Sequence, residues 1–216
     1  KKTLSWKDLI PLLSFVVLNG KCRYCHTPLS YQYSLYEILT GILFAFTIYH
    51  LPFTISLVYY FFIVSVMVVI FFADLRHGII PDKVLLPAIL VSFAYLFINH
   101  PPAGEAGQSL IINHLVSAVG AFLFFLFLFL ITKGKGMGFG DVKLSFLMGL
   151  VLGYPGVFYG TYLAFLTGGA FAIILILWKK RKLKSEVAFG PFLVGNFLLV
   201  LYFQPQINRF ALGLIS

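Results

Sequence analysis

Seven apolar stretches, separated by short polar segments, run the length of the chain. They cover roughly residues 35–50, 53–73, 84–98, 109–132, 142–153, 156–178 and 189–205. A helix that crosses a bilayer needs about 20 residues. The second, fourth and sixth stretches reach that length, and the first, third and seventh approach it with flanking residues. The fifth is short, and a Tyr-Pro-Gly turn at 154–156 divides it from the sixth. Residues 9–18 are apolar but too few to span, and predict either an interfacial helix or a buried one. The pattern predicts an all-α fold, a polytopic transmembrane helical bundle of about seven membrane helices. That bundle occupies residues 34–216, after a short cytoplasmic segment at 1–33.

Composition agrees with a bilayer as solvent. Hydrophobic residues make up 60% of the 216 and charged residues 11%, with 25 Phe and 12 Tyr. A soluble fold could not cover that much apolar surface. The net charge of +9 would raise nucleic acid as a partner in a soluble protein,. Here the charge lies between apolar spans, so it predicts orientation instead and excludes nucleic acid. Fifteen of the sixteen Lys and Arg residues fall in the segments 1–33, 74–83, 133–143 and 179–188, leaving only Arg209 on the opposite side. The positive-inside rule makes the crowded side cytoplasmic. The run Lys179–Lys184 is read as an orientation signal that also meets anionic lipid. No cleavable signal peptide is visible, and a chain starting at Lys1 rather than Met predicts an upstream segment.

Seven acids carry the chemistry: Asp8, Glu37, Asp74, Asp82, Glu105, Asp141 and Glu186. Asp8, Glu105 and Glu186 read as solvated loop charges. The other four abut or enter apolar spans, where an ionisable group is costly and is a functional candidate by default. Asp74 closes one span and Asp141 opens another, both on the cytoplasmic edge. Two facing carboxylates can share one proton, because like charges at close range do not both ionise readily. The ionised partner can then activate water, and the protonated one can polarise a peptide carbonyl and later donate to the leaving amine. For Asp141 a helix N-cap remains the alternative. Asp82 reads as an N-cap for the helix after it, Glu37 as a helix-start acid or an active-site rim group, and Lys143 as a snorkelling lysine or an influence on the acids. His77 reads as a loop histidine, and His50, His100 and His114 receive no role. Gly136, Gly138 and Gly140 precede Asp141, allow positive φ and let another backbone come close, which suggests a wet groove that accepts an extended peptide.

Four ordered blocks resemble one family. Gly-Met-Gly-Phe-Gly-Asp-Val-Lys-Leu (136–144) is similar to the G-x-G-D signature of the type IV prepilin peptidases, which are intramembrane aspartyl proteases. Residues 74–82, Asp through Ile-Pro-Asp, resemble the family's other acidic block. Residues 6–41 resemble its cytoplasmic Cys segment and following helix, and Phe189–Leu193 a block in the last helices. The resemblance implies that Asp74 and Asp141 are the catalytic pair and that prepilins or pseudopilins are the substrates. Cleavage would remove a short basic leader on the cytoplasmic side of the bacterial inner membrane. It also implies a second activity, N-methylation with S-adenosyl-L-methionine, to which Glu37 would contribute.

Two departures stand out. The family's Cys segment usually carries two C-x-x-C pairs that could bind one metal ion, whereas this chain has only Cys22 and Cys25. Structural zinc takes four ligands. Either the first pair lies upstream of Lys1, or His26 contributes, or the site is degenerate. Ala188 stands where the family often has Pro. Outside the resemblance three other classes stay open. One is a proton- or cation-coupled transporter with Asp74 and Asp141 as ion ligands. The others are an inactive pilin-assembly protein and a presenilin-like protease cutting within a membrane helix.

Overall fold

The computed structural model describes residues 5, 10, 12–50, 54–99, 105–178 and 188–213. The basic run 179–184, Asp8, Glu186 and His100 lie outside the described residues. Among those described there are seven helices and no strand. They are α1 (Leu13–Val17), α2 (Tyr31–His50), α3 (Ile55–His77), α4 (Asp82–Asn99), α5 (Glu105–Ile131), α6 (Phe139–Leu177) and α7 (Gly190–Gly213). The seven apolar stretches fall on α2 to α7, with two of them inside α6. Among the described residues four segments are long and apolar enough to cross a membrane: Ser56–His77, Asp82–Asn99, Glu105–Ile131 and Phe139–Leu175. The chain is an integral membrane protein, with four such spans among its described residues where the pattern predicts about seven membrane helices.

By contacts the chain divides into residues 1–57 and 58–216. In the first unit α1 buries none of its residues, so the buried-helix reading of 9–18 is corrected. Phe15 packs edge-on against Tyr31, with ring centroids 5.3 Å apart. In the second unit α6 lies against α4, α5 and α7. Its core takes Ile63, Met67 and Ile70 from α3, Leu85 and Ala88 from α4, Phe125 from α5, Leu144 and Met148 from α6, and Leu193 and Phe197 from α7. Those spacings of three and four place each set on one helix face.

The sequence places a turn at 154–156, and the structure has a break in α6 there. Gly153 takes φ 61° and Tyr154 an extended φ/ψ of −87°, 138°. A break in a helix frees backbone N–H and C=O groups that then need other partners. Helix α5 satisfies them. Asn113 accepts from the Tyr154 N–H at 2.8 Å and donates to the Tyr154 carbonyl at 3.0 Å. A ring nitrogen of His114 lies 2.9 Å from the Leu150 carbonyl. His114, given no role in the sequence, is therefore a residue of α5 that supports the break. Glu105 likewise opens α5 and is not a loop acid.

Where α5 and α6 meet, a Cβ on Gly149 would sit 2.5 Å from the Ala118 Cα and 2.5 Å from the Ser117 carbonyl. Small residues let backbones approach closely in membranes, where packing replaces the hydrophobic drive between helices. Gly149→Ala should therefore force the helices apart and cost about 1–3 kcal/mol. Thermal unfolding in detergent measures this. Gly169→Ala, on the same helix with nothing within 4 Å, is the control.

Candidate active site

The core face of α3 runs Ile63, Met67, Ile70 and then Asp74, and that of α6 runs back from Met148 through Leu144 to Asp141. Each acid thus stands on the core-facing side of its helix, close to that helix's end. Both are buried, Asp74 being 6% exposed and Asp141 5%. They line one cavity of about 600 Å³, together with Ile80, Asp82, Gly138, Gly140, Lys143 and Phe189. They are near enough for the Asp74 charge to act on Asp141. Asp74 lies within the last turn of α3, which Gly78 closes at φ 64° by donating to the Asp74 carbonyl at 2.8 Å. The helix thus runs three residues past the apolar run that Asp74 closes in the sequence.

Asp141 is the third residue of α6, not its N-cap. Its Oδ2 accepts the Gly138 N–H at 3.2 Å, as the acid of a capping box does,. One carboxylate therefore both ties down the helix start and faces the cavity. Among the described residues Asp74 Oδ2 is buried with no hydrogen-bond partner. Burying a carboxylate oxygen unpaired is unfavourable and marks a group kept for something other than stability.

The glycine loop works differently from expectation. Gly136, Gly138 and Gly140 do not take positive φ; Gly134 at 72° does, where α5 ends. Gly140 is required for space, since a Cβ there would lie 2.8 Å from the Ile80 Cβ. A Cβ on Gly136 would come 3.0 Å from Thr132, while Gly138 serves as the donor to Asp141. The sequence reading passes over a fourth glycine. A Cβ on Gly190, the first residue of α7, would sit 2.5 Å from Asp74 Oδ2, and the Gly190 N–H is turned to the same carboxyl. Its signal is a Gly-Pro pair at a helix start, inside the block Phe189–Leu193.

The remaining candidates separate. Asp82 is the first residue within α4 rather than a cap before it, and its carboxylate pairs with the Lys143 ammonium across the cavity mouth. The snorkelling reading of Lys143 gives way to that pair and to the Phe139 ring, 5.4 Å from the ammonium. His77 is the last residue of α3. Glu37, in the other unit, accepts the Leu12 N–H at 2.8 Å. Cys22 and Cys25 lie in a tight turn closed by the Cys22 N–H on the Thr27 carbonyl and the His26 N–H on the Cys22 carbonyl. Among the described residues no three His, Cys, Asp or Glu side chains are grouped to hold a metal. The zinc reading, with or without His26, is not met by these donors.

Cys25 nonetheless has a distinctive thiol. Its Sγ lies 2.9 Å from the Thr27 hydroxyl, which, with the neighbouring backbone and Cys22, lowers its pKa to about 7. A depressed pKa means more thiolate at neutral pH. Cys25 should therefore react with iodoacetamide with a midpoint near pH 7, and Thr27→Val should move that midpoint upward. Mass spectrometry of the alkylated peptide across the neutral pH range checks both.

The chain is similar to known proteins along almost its whole length. Residues 61–173 match the type IV leader peptidase family, and residues 1–51 match the bacterial peptidase A24 N-terminal domain. A prepilin leader peptidase/N-methyltransferase of Legionella pneumophila is 26% identical over 209 residues, covering 97% of this chain and 71% of the relative. That of Aeromonas salmonicida strain A449 is 30% identical over 207 residues, 95% of this chain and 70% of the relative. The Bacillus subtilis protein of the same name is 28% identical over 217 residues, with 99% and 84% covered. No solved structure matches. The transporter alternative finds no support in these matches, and the two acids stand at helix ends and not at mid-span.

Proposed function

The chain belongs to the type IV leader peptidase family, and from that premise we propose that it is an aspartyl endopeptidase acting through Asp74 and Asp141. The observation that carries this reading is the cavity on which both buried carboxylates open. The pair shares one proton. The ionised carboxylate takes a proton from water as it attacks the scissile carbonyl, whose oxygen the protonated partner polarises. That proton then goes to the leaving amine, and the dyad returns to its starting state. Gly138, where an added Cβ would meet nothing nearer than 3.9 Å, leaves room for an extended backbone beside the acids, and Lys143 lies at the mouth.

We take the substrates to be prepilins or pseudopilins, as the relatives' names suggest, with a basic leader removed ahead of an apolar helix. The Lys and Arg distribution supports an inner-membrane protein whose dyad faces the cytoplasm. We read residues 1–33 as a cytoplasmic segment and 34–216 as the membrane peptidase domain. Methylation of the new N-terminus, the second activity in the relatives' names, would draw on S-adenosyl-L-methionine. Among the described residues Glu37 holds the Leu12 N–H, which does not make a site for that donor, so no step is assigned to it.

Cleavage of a peptide carrying a basic leader before an apolar helix, with the chain in liposomes and mass spectrometry of the products, tests the peptidase reading. One cut between leader and helix is expected. A folded protein that leaves the peptide intact would overturn it.

A further inference from the structure

The cavity holds a third carboxylate that the chemistry above does not use. Asp82 and Lys143 face each other across its mouth as an ion pair, with side chains 54% and 23% exposed. Asp82 follows the turn that leaves α3, eight residues after Asp74. Lys143 lies two residues after Asp141. The pair is therefore joined to both acids through short backbone. Its two members differ in freedom. The lysine ammonium lies over the Phe139 ring, 5.4 Å from its centroid. The aspartate is more than half open to the cavity.

Resting on the peptidase reading, we propose that Asp82 is a specificity residue that receives a cationic side chain of the substrate's leader, in exchange for the Lys143 ammonium. An internal ammonium already seated on Asp82 marks what that carboxylate accepts. Exchange of one cation for another leaves the charge around Asp82 unchanged, so no desolvated carboxylate is stranded as substrate enters. The displaced Lys143 ammonium has the Phe139 ring beside it, and its long flexible stem lets it turn to water. The direction of entry follows from the geometry. The leader lies toward the open mouth at Asp82, and the bond to be cut lies at the buried pair. A lysine or arginine is selected over a neutral residue. Asp82 would act on binding, not on the bond-breaking step.

The experiment compares two peptides that differ only in the leader, one with lysine and one with glutamine at each basic position. They are tested on wild type, Asp82→Asn and Asp82→Glu in liposomes, with KM and kcat separated. Wild type should favour the lysine peptide through KM. Asp82→Asn should lower that preference by about 1.5-fold to fivefold, the range of one partly exposed charge contact. Asp82→Glu, which keeps the charge, should restore most of it. If Asp82→Asn slows both peptides equally through kcat, Asp82 only positions the acids and the inference is overturned. Wild type cutting both peptides equally well overturns it too, while leaving the peptidase reading intact. Wild type cutting neither overturns both. Circular dichroism of each variant secures the comparison, and Asp82→Glu keeps it decisive if Asp82→Asn does not fold.

Discussion

Asp74→Asn and Asp141→Asn should each reduce leader cleavage by on the order of 10²–10⁴-fold, the usual contribution of general acid–base catalysis. Asn keeps the size of Asp and can still hydrogen-bond, but it cannot take up and release a proton. The same substitutions should leave stability almost untouched. At position 141 the amide would retain an oxygen for the Gly138 N–H, which Asp141 now accepts at 3.2 Å. At position 74 the amide would take the place of an unpaired carboxylate oxygen in a buried site, so unfolding of that variant should be unchanged or later. This separation distinguishes catalytic acids from caps. A cap loses about 1 kcal/mol of stability when removed and has no large effect on turnover. Parallel measurement of cleavage and thermal unfolding in detergent decides between them. Near-normal cleavage by either variant would remove that acid from the mechanism.

The second large effect is expected from Gly190→Ala. The added methyl would lie 2.5 Å from Asp74 Oδ2 and 2.9 Å from its Cγ, well inside contact distance. Either the carboxyl turns away or the start of α7 withdraws. A displacement of about 1 Å at a reacting group costs about 10²-fold in rate, and that is the loss expected in kcat. Gly195→Ala is the matched control. It lies on the same helix with nothing within 4 Å of the new methyl. It should leave cleavage unchanged and gain about half a kcal/mol from the reduced freedom of the unfolded chain. Equal activity in the two variants would show that α7 does not fix Asp74.

How much of this is legible without coordinates depends on the kind of residue. The two acids can be found in the sequence, because a carboxylate at the edge of an apolar span is expensive in lipid and so conspicuous. Gly190 cannot, since a glycine shows its purpose only through what a Cβ would strike. The same holds for Gly149 against Ala118. The glycines 136, 138 and 140 are noticeable, yet for the wrong property: their φ angles are ordinary, and Gly140 matters because Ile80 occupies the space a side chain would need. Asp82 reads from its neighbours in sequence as a cap, whereas its partner Lys143 is 61 residues away.

The order of residues alone is enough to establish the solvent, the helical class, the family blocks and the two acids at the edges of their spans. Hydrophobicity and charge act locally, so each can be read one segment at a time. Which face of any helix points inward is not written there. In a soluble helix the spacing of polar and apolar positions reveals that face. In lipid both faces are apolar, and Ile63, Met67 and Ile70 look no different in sequence from their lipid-facing neighbours. Helix packing shows that these residues lead to Asp74, that Leu144 and Met148 lead to Asp141, and that α7 brings Gly190 against the first of the acids. Partners far apart in the chain are chosen by close contact between helices, which depends on shape and leaves no periodic trace in a sequence that is apolar on every side.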